Sequence, residues 1–145
     1  MTTPHLPDPA PPDPDMVELA TRVFQAARAG DTATVAAYVD AGLPANLAND
    51  RGDTLVMLAA YHGRPATVAA LLERGADPDR PNDRGQTPLA GAVFKGETAV
   101  VRTLLDHGAD PHTGHPTAAE AARMFGKTEL LEDFGPAPDH PGGPK

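Results

Sequence analysis

Glycine recurs along this chain at a fixed interval of 33 residues, in two separate series. The first series is Gly30, Gly63 and Gly96, and the second is Gly42, Gly75 and Gly108. Alanine, valine and leucine positions between the glycines repeat at the same interval. A period of roughly 20 to 50 residues is typical of solenoids, in which one small unit stacks on copies of itself. The interval therefore predicts a stack of short units.

Two central units, residues 49–81 and 82–113, show how one unit is built. Each begins with a polar Asn-Asp-Arg-Gly turn and continues through two stretches with apolar residues at helical spacing. Thr54 and Thr87 precede the first stretches, where their hydroxyls can cap free N–H groups. The glycines follow the stretches, at positions that favour a left-handed backbone and therefore no Cβ atom. We predict two short helices per unit, each ending at a glycine.

These units resemble the ankyrin repeat, a D-x-x-G-x-T-P-L turn followed by two helices, the second ending in L-L-x-x-G-A-D. Residues 82–89 carry the turn with Asn82 at its first position, and the preceding unit has Asn49 there and Leu55 in place of the proline. Both units carry the ending, at 71–77 and 104–110. The resemblance covers about residues 16–135. It implies an all-α ankyrin-repeat solenoid of stacked helix-turn-helix units with β-turn or hairpin fingers.

Four repeats are expected, the outer two acting as caps, with approximate bounds 15–48, 49–81, 82–113 and 114–134. Asp15 is a candidate N-cap for the first helix. The last repeat aligns with the one before it at an offset of 30, so three residues are lost between Pro111 and Pro116. The terminal segments 1–14 and 135–145 are rich in proline, and the second also in glycine, which predicts disordered tails.

Charge and hydropathy narrow the possible partners. The formal net charge is −8, with basic residues dispersed along the chain, which argues against nucleic-acid binding because a phosphate backbone requires clustered Lys and Arg. Aspartates at the turns either keep the solenoid soluble or steer basic partners towards it. No apolar run approaches the roughly 18 residues that would indicate a membrane span. With no recognisable secretion signal, we expect a cytoplasmic protein that is monomeric when unbound.

Catalysis is not expected from these residues. The chain contains neither serine nor cysteine, so the commonest hydroxyl and thiol nucleophiles are missing. Neither a P-loop nor a dinucleotide-binding glycine motif is present. The adjacent carboxylates lie in turns or at helix ends, where such residues cap helices or face water. We therefore expect no enzymatic activity and no cofactor.

A group of histidines in the shortened finger before the last repeat suggests an alternative. His107, His112 and His115 lie close together in sequence with Asp110, and imidazole and carboxylate groups can bind zinc. Their spacing matches no strong metal motif, and neighbouring prolines and a glycine are ordinary turn formers. These histidines are therefore weak metal candidates, and the prediction is that no metal is bound.

The resemblance also implies which surface binds, because ankyrin repeats recognise partners with the fingertips and the variable positions before the glycine that ends each first helix. One column of variable positions is Arg28, Tyr61, Phe94 and Met124, and the other is Ala29, His62, Lys95 and Phe125. The fingertip positions are Asp50, Arg51, Asp53, Asp83, Arg84 and Gln86. Three of the six aromatic residues fall in these columns, whereas Phe24, Tyr38 and Phe134 fall at core positions. Aromatic residues, Met and Arg are enriched in protein interfaces.

Together these observations predict a protein-interaction module that acts as an adaptor, inhibitor or stabilising partner through its concave face. One alternative is a regulator that responds to a metal or small ligand through the finger from His107 to His115. Another is an enzyme subunit that contributes binding only. The sequence does not identify the partner protein.

Overall fold

The computed structural model describes residues 14–134, which form helices joined by turns and contain no strand. The all-α prediction is confirmed. A 3-10 turn at Thr128–Leu130 leads directly into the last helix. The α-helices are α1 (Pro14–Ala29), α2 (Thr32–Asp40), α3 (Leu55–Tyr61), α4 (Pro65–Glu73), α5 (Pro88–Lys95), α6 (Thr98–Asp106), α7 (Ala118–Met124) and α8 (Leu131–Phe134).

The helices form two parallel rows. The first helices of successive repeats pack side by side in the order α1, α3, α5 and α7. The second helices α2, α4 and α6 form the other row, and each packs against the first helix of its own repeat. Each repeat thus covers its neighbour, and the stability of such a stack is approximately a sum over repeats and the interfaces between them.

The local signals for helix ends act as the sequence predicts. The Thr54 hydroxyl accepts the N–H of Met57 at 3.1 Å, and Thr87 does the same for Ala90 at 3.2 Å. All the glycines of the two 33-residue series have a positive φ, for example +71° at Gly63. These caps and left-handed residues confirm the predicted helix ends.

The capping repeats differ from the central ones at their helix starts. The prediction for Asp15 is wrong, because this residue lies in the first turn of α1 instead of capping it. An acidic side chain is favourable in a first turn, next to the positive end of the helix dipole. At the other end, Thr117 and Glu120 form a reciprocal capping box. Hydrogen bonds from the backbone N–H and side chain of Thr117 lower the pKa of the Glu120 carboxyl.

The core is one cluster that runs through the stack between the two helix rows. Its largest fully buried side chains include Leu55, Leu71, Leu89 and Leu104. The three aromatic residues predicted for the core belong to this cluster or pack against it. Phe134 is buried, while two others, Phe24 and Tyr38, are partly buried and pack against it.

The loops after the second helices are joined across repeats by a repeated side-chain bond. The Asn46 carboxamide oxygen accepts the Asp77 N–H at 2.7 Å, and the Asp79 carboxylate accepts the Asp110 N–H, also at 2.7 Å. Positions 46 and 79 are themselves 33 residues apart, and so are 77 and 110. The same loop contact is therefore made twice, once with an amide and once with a carboxylate.

Candidate functional site

Two polar fingers, residues 49–53 and 82–86, project from the stack in front of α3 and α5. In the first finger the Asn49 side chain accepts the N–H groups of Arg51 and Asp53, at 2.9 and 3.0 Å. The Asn82 side chain makes the same pair of bonds in the second finger. Because the asparagine occupies the inside of each turn, the arginine is held at the tip, where it is exposed.

The fingers are bonded to one another as well as internally. The Asp83 N–H donates to the Arg51 carbonyl at 3.0 Å, and the Asn82 amide donates to the Asp53 carboxylate at 2.8 Å. The next link along the stack is a 2.8 Å bond from the His115 N–H to the Gly85 carbonyl. These cross-links make the row of fingers one continuous edge.

Close approach of the fingers depends on Gly52. Its φ is +78°, and a Cβ atom there would lie 2.5 Å from a carboxylate oxygen of Asp83 and 2.8 Å from its backbone nitrogen. A side chain at this position would therefore both strain the backbone and push the second finger away.

A cavity of about 660 Å³ lies between the two fingers and the C-terminal end of α3; we call it the finger groove. Most of the residues predicted for partner binding line it. They are Arg28, Asp50, Arg51, Asp53, Tyr61, His62, Asp83, Arg84 and Gln86. Its lining also includes Asn49, Met57, Leu58 and Asn82, which the sequence analysis did not single out. The two asparagines repeat at the same 33-residue interval as the arginines, so the period itself contained the signal for them.

The predicted positions outside the groove are Phe94, Lys95, Met124 and Phe125. Phe94 and Phe125 continue from Tyr61 as a line of contacting rings, and we call Tyr61, Phe94 and Phe125 the aromatic row. The rings of Tyr61 and Phe94 are stacked with centroids 6.5 Å apart, and Phe94 meets Phe125 edge-to-face at 4.9 Å. Phe94 is 50% exposed and Phe125 is 44% exposed, and the adjacent Met124 is 67% exposed. The Lys95 ammonium lies 5.0 Å from the centroid of the Tyr61 ring.

The ring contacts do not follow the two columns drawn from the sequence. Tyr61 and Phe94 belong to the first column, but the ring that continues the row is Phe125, from the second column. Met124 ends α7 and Phe125 follows it, in the repeat that is offset by 30 instead of 33 residues. The aromatic row therefore crosses from one column to the other at the capping repeat.

The histidines proposed as metal candidates make separate contacts. A ring nitrogen of His107 is 2.8 Å from the Thr103 carbonyl within α6. The Nε2 atom of His112 is buried and has no hydrogen-bond partner among the described residues. Within residues 14–134, no three His, Asp or Glu side chains come together as a group that could hold a metal ion. The finger therefore offers no assembled metal site in this part of the chain.

The turn aspartates divide into two groups. Asp50, Asp53 and Asp83 line the finger groove, whereas Asp77 and Asp79 belong to the loop after α4 and are not among its lining residues. Partial burial raises the pKa of the Asp79 carboxyl, against the lowering effect of its bond from the Asp110 N–H. The fingertips therefore present alternating acidic and basic side chains instead of a uniformly acidic rim.

A family model described as ankyrin repeats, in three copies, matches residues 23–114. No curated protein matches the chain. None of the helices within residues 14–134 has both the length and the apolar character that crossing a membrane requires.

Proposed function

The chain belongs to the ankyrin-repeat family, whose members are generally protein-interaction modules, and we propose that it binds a partner protein through the finger groove and the aromatic row. In this proposal the chain has no catalytic activity of its own and acts as an adaptor, inhibitor or stabilising partner. It works as a monomer before binding, in the cytoplasm.

The exposed aromatic row is the observation that carries the proposal. A ring such as Phe94, half exposed between two other rings, costs solubility and contributes little to a core that alanine, valine and leucine already fill. Contiguous exposed apolar patches on soluble proteins tend to mark binding sites. Aromatic anchors next to arginines and a polar rim are the usual composition of protein interfaces.

Affinity capture tests this function. The wild-type protein and the Tyr61→Ala/Phe94→Ala variant are used as bait in lysate from cells that naturally express the chain, and captured proteins are identified by mass spectrometry. We expect a protein that the wild type captures and the variant does not. Arg102→Ala, an exposed residue on α6 in the other helix row, is the matched control and should capture the same protein.

Two results would contradict the proposal. Capture of the same protein by both baits would place the binding face elsewhere. Loss of cooperative thermal unfolding in the double variant, followed by circular dichroism, would show that the two rings support the fold instead of a partner. The helical signal and the unfolding transition of each bait are therefore measured before capture.

A further inference from the structure

The charged side chains of the finger groove favour one kind of partner over another. We propose, on the basis of the function above, that the groove takes an acidic apolar segment of a partner protein. The segment's aromatic or aliphatic side chains pack on the aromatic row, and its carboxylates pair with Arg51 and Arg84 at the fingertips. Arg28, where α1 ends beside the groove, is a third cation within reach of the same segment.

The two fingertip guanidinium groups have no structural role in the described residues. Neither Arg51 nor Arg84 forms a side-chain hydrogen bond or an ion pair within residues 14–134, and both are exposed. Arg28 has a single long contact, 3.4 Å to the Gln25 side chain. A guanidinium group presents a planar fork that matches a carboxylate through two parallel hydrogen bonds. The guanidinium groups of Arg28, Arg51 and Arg84 are therefore available to bind carboxylates.

Two of the three aspartates in the groove lie against the neighbouring finger. The Asp53 carboxylate accepts the hydrogen bond from Asn82 that joins the two fingers. The Asp83 carboxylate lies against Gly52, at the closest approach of the fingers. Only Asp50 is an exposed carboxylate without such a contact among the described residues. These contacts leave the carboxylates charged, so the unpaired guanidinium groups, and not a net positive charge, favour an acidic segment.

A cation next to the aromatic row extends this preference beyond the fingers. The Lys95 ammonium lies over the Tyr61 ring, at the junction between the groove and the row. A segment that follows the row into the groove would pass Lys95 first and then the arginines. The three arginines and three aspartates of the groove balance formally, and Lys95 beside it brings the local charge to +1, whereas the chain as a whole carries −8. A basic partner would be attracted to that general surface and would meet unpaired arginines in the groove.

Selection from a library of random peptides tests the chemistry directly. The full chain is used as bait, in parallel with Arg51→Ala/Arg84→Ala, Phe94→Ala and the control Arg102→Ala. Peptides enriched by the wild type are synthesised with a fluorescent label, and their affinity for each protein is measured by fluorescence anisotropy. Circular dichroism verifies that every variant is folded.

We expect the enriched peptides to combine at least two Asp or Glu residues with aromatic or aliphatic ones. Their affinity should fall by about tenfold in the Arg51/Arg84 variant, as for two exposed charge pairs. The loss should be at least about tenfold in Phe94→Ala, as for an aromatic anchor, and Arg102→Ala should leave the affinity unchanged. Exchanging both arginines for glutamate should reverse the selection, so that basic peptides are enriched.

The opposite results separate this inference from the function on which it rests. Peptides that require Phe94 but are basic would overturn the acidic partner and leave the binding face in place. Enrichment of proline-rich peptides that resemble the chain's own termini would also overturn the acidic partner and keep the binding face. So would self-association of the wild-type protein, measured by sedimentation velocity, if Phe94→Ala abolishes it. If no enriched peptide depends on Phe94, both the inference and the proposed function are wrong.

Discussion

Leu71 and Leu104, one repeat apart, are fully buried, whereas Tyr61 and Phe94, also one repeat apart, are partly and half exposed. The leucines lie in the second helices, between the two helix rows, while the rings lie at the ends of the first helices beside the fingers. Both pairs follow the same 33-residue period. A period therefore identifies the repeating unit, and the position within the unit decides whether a side chain serves the stack or a partner.

Removing a buried leucine should produce the largest effect. Leu104→Ala deletes a fully buried side chain from α6, and we expect it to lower the free energy of unfolding by about 2–5 kcal/mol through lost contacts and a cavity. Chemical denaturation measures the change. Leu105→Ala, at the partly buried neighbouring position, is the control and should cost less. Equal losses at both positions would contradict the assignment of the buried column.

A glycine of the second series tests the backbone that joins one unit to the next. Gly75 has φ of +93° with no atom within 4 Å of where a Cβ would lie, so Gly75→Val adds strain without a steric clash. We expect a loss of about 1–3 kcal/mol from the left-handed conformation alone. Glu73→Val, at an exposed position of α4, should change stability by less. If Gly75→Val left the free energy of unfolding unchanged, this junction would be able to adopt another backbone conformation.

Truncating the middle ring should show how little the aromatic row contributes to the fold. Phe94→Ala removes two ring contacts from a half-exposed side chain, so we expect a loss below about 1.5 kcal/mol. The matched variant Phe134→Ala removes a buried ring and should cost more. Thermal unfolding of both proteins makes the comparison. A larger loss for Phe94 would move the aromatic row from the binding face into the core.

The smallest predicted change in stability comes from a substitution in the loop after α4, and this change depends on pH. Asp79→Asn reproduces the amide that Asn46 uses one repeat earlier and keeps an acceptor for the Asp110 N–H. Folding raises the pKa of the Asp79 carboxyl. Asp79 therefore contributes fully to stability at pH values below its pKa in the unfolded chain, and this contribution is lost as the pH rises through its pKa in the folded protein.

We therefore expect Asp79→Asn to raise the melting temperature at pH 7 by about 1–3 °C, a small gain because the carboxyl is only partly buried and water screens it. The gain should disappear at acidic pH, where Asp79 is protonated in the wild type. Asp106→Asn, at an exposed position of α6, is the control for removing one surface carboxylate. If the higher melting temperature persisted at acidic pH, packing and not charge would explain the difference between aspartate and asparagine at position 79.

Much of this architecture was predictable from the sequence because it depends on local chemistry. The caps at Thr54 and Thr87 and the left-handed glycines require only short-range rules, and the structure confirms them. The start of α1 was predicted wrongly, since Asp15 lies inside the first turn. A proline or acidic residue near a helix start is compatible with several positions, so the sequence left this boundary open.

The geometry of the candidate site was less predictable, because it depends on how repeats meet. The shift from one column to the other at Phe125 follows from the shortened finger before α7, whose effect on ring positions no single repeat reveals. Met57 and Leu58 line the finger groove although their side chains are almost fully buried. They belong to a helix that forms both the core and the floor of the groove, a double role that hydrophobic spacing does not resolve.

The bonds between successive fingers also have an evolutionary consequence. The Asp83 N–H binds the Arg51 carbonyl, and the Gly85 carbonyl receives the His115 N–H, so each finger offers the next one a backbone group. Backbone groups are present whatever the side chains are. In-frame duplication of one repeat in the gene would therefore insert a finger able to bond on both sides, lengthening the binding edge by one unit. Mutation could then change the new fingertip residues while the rest of the recognition surface stays as it was.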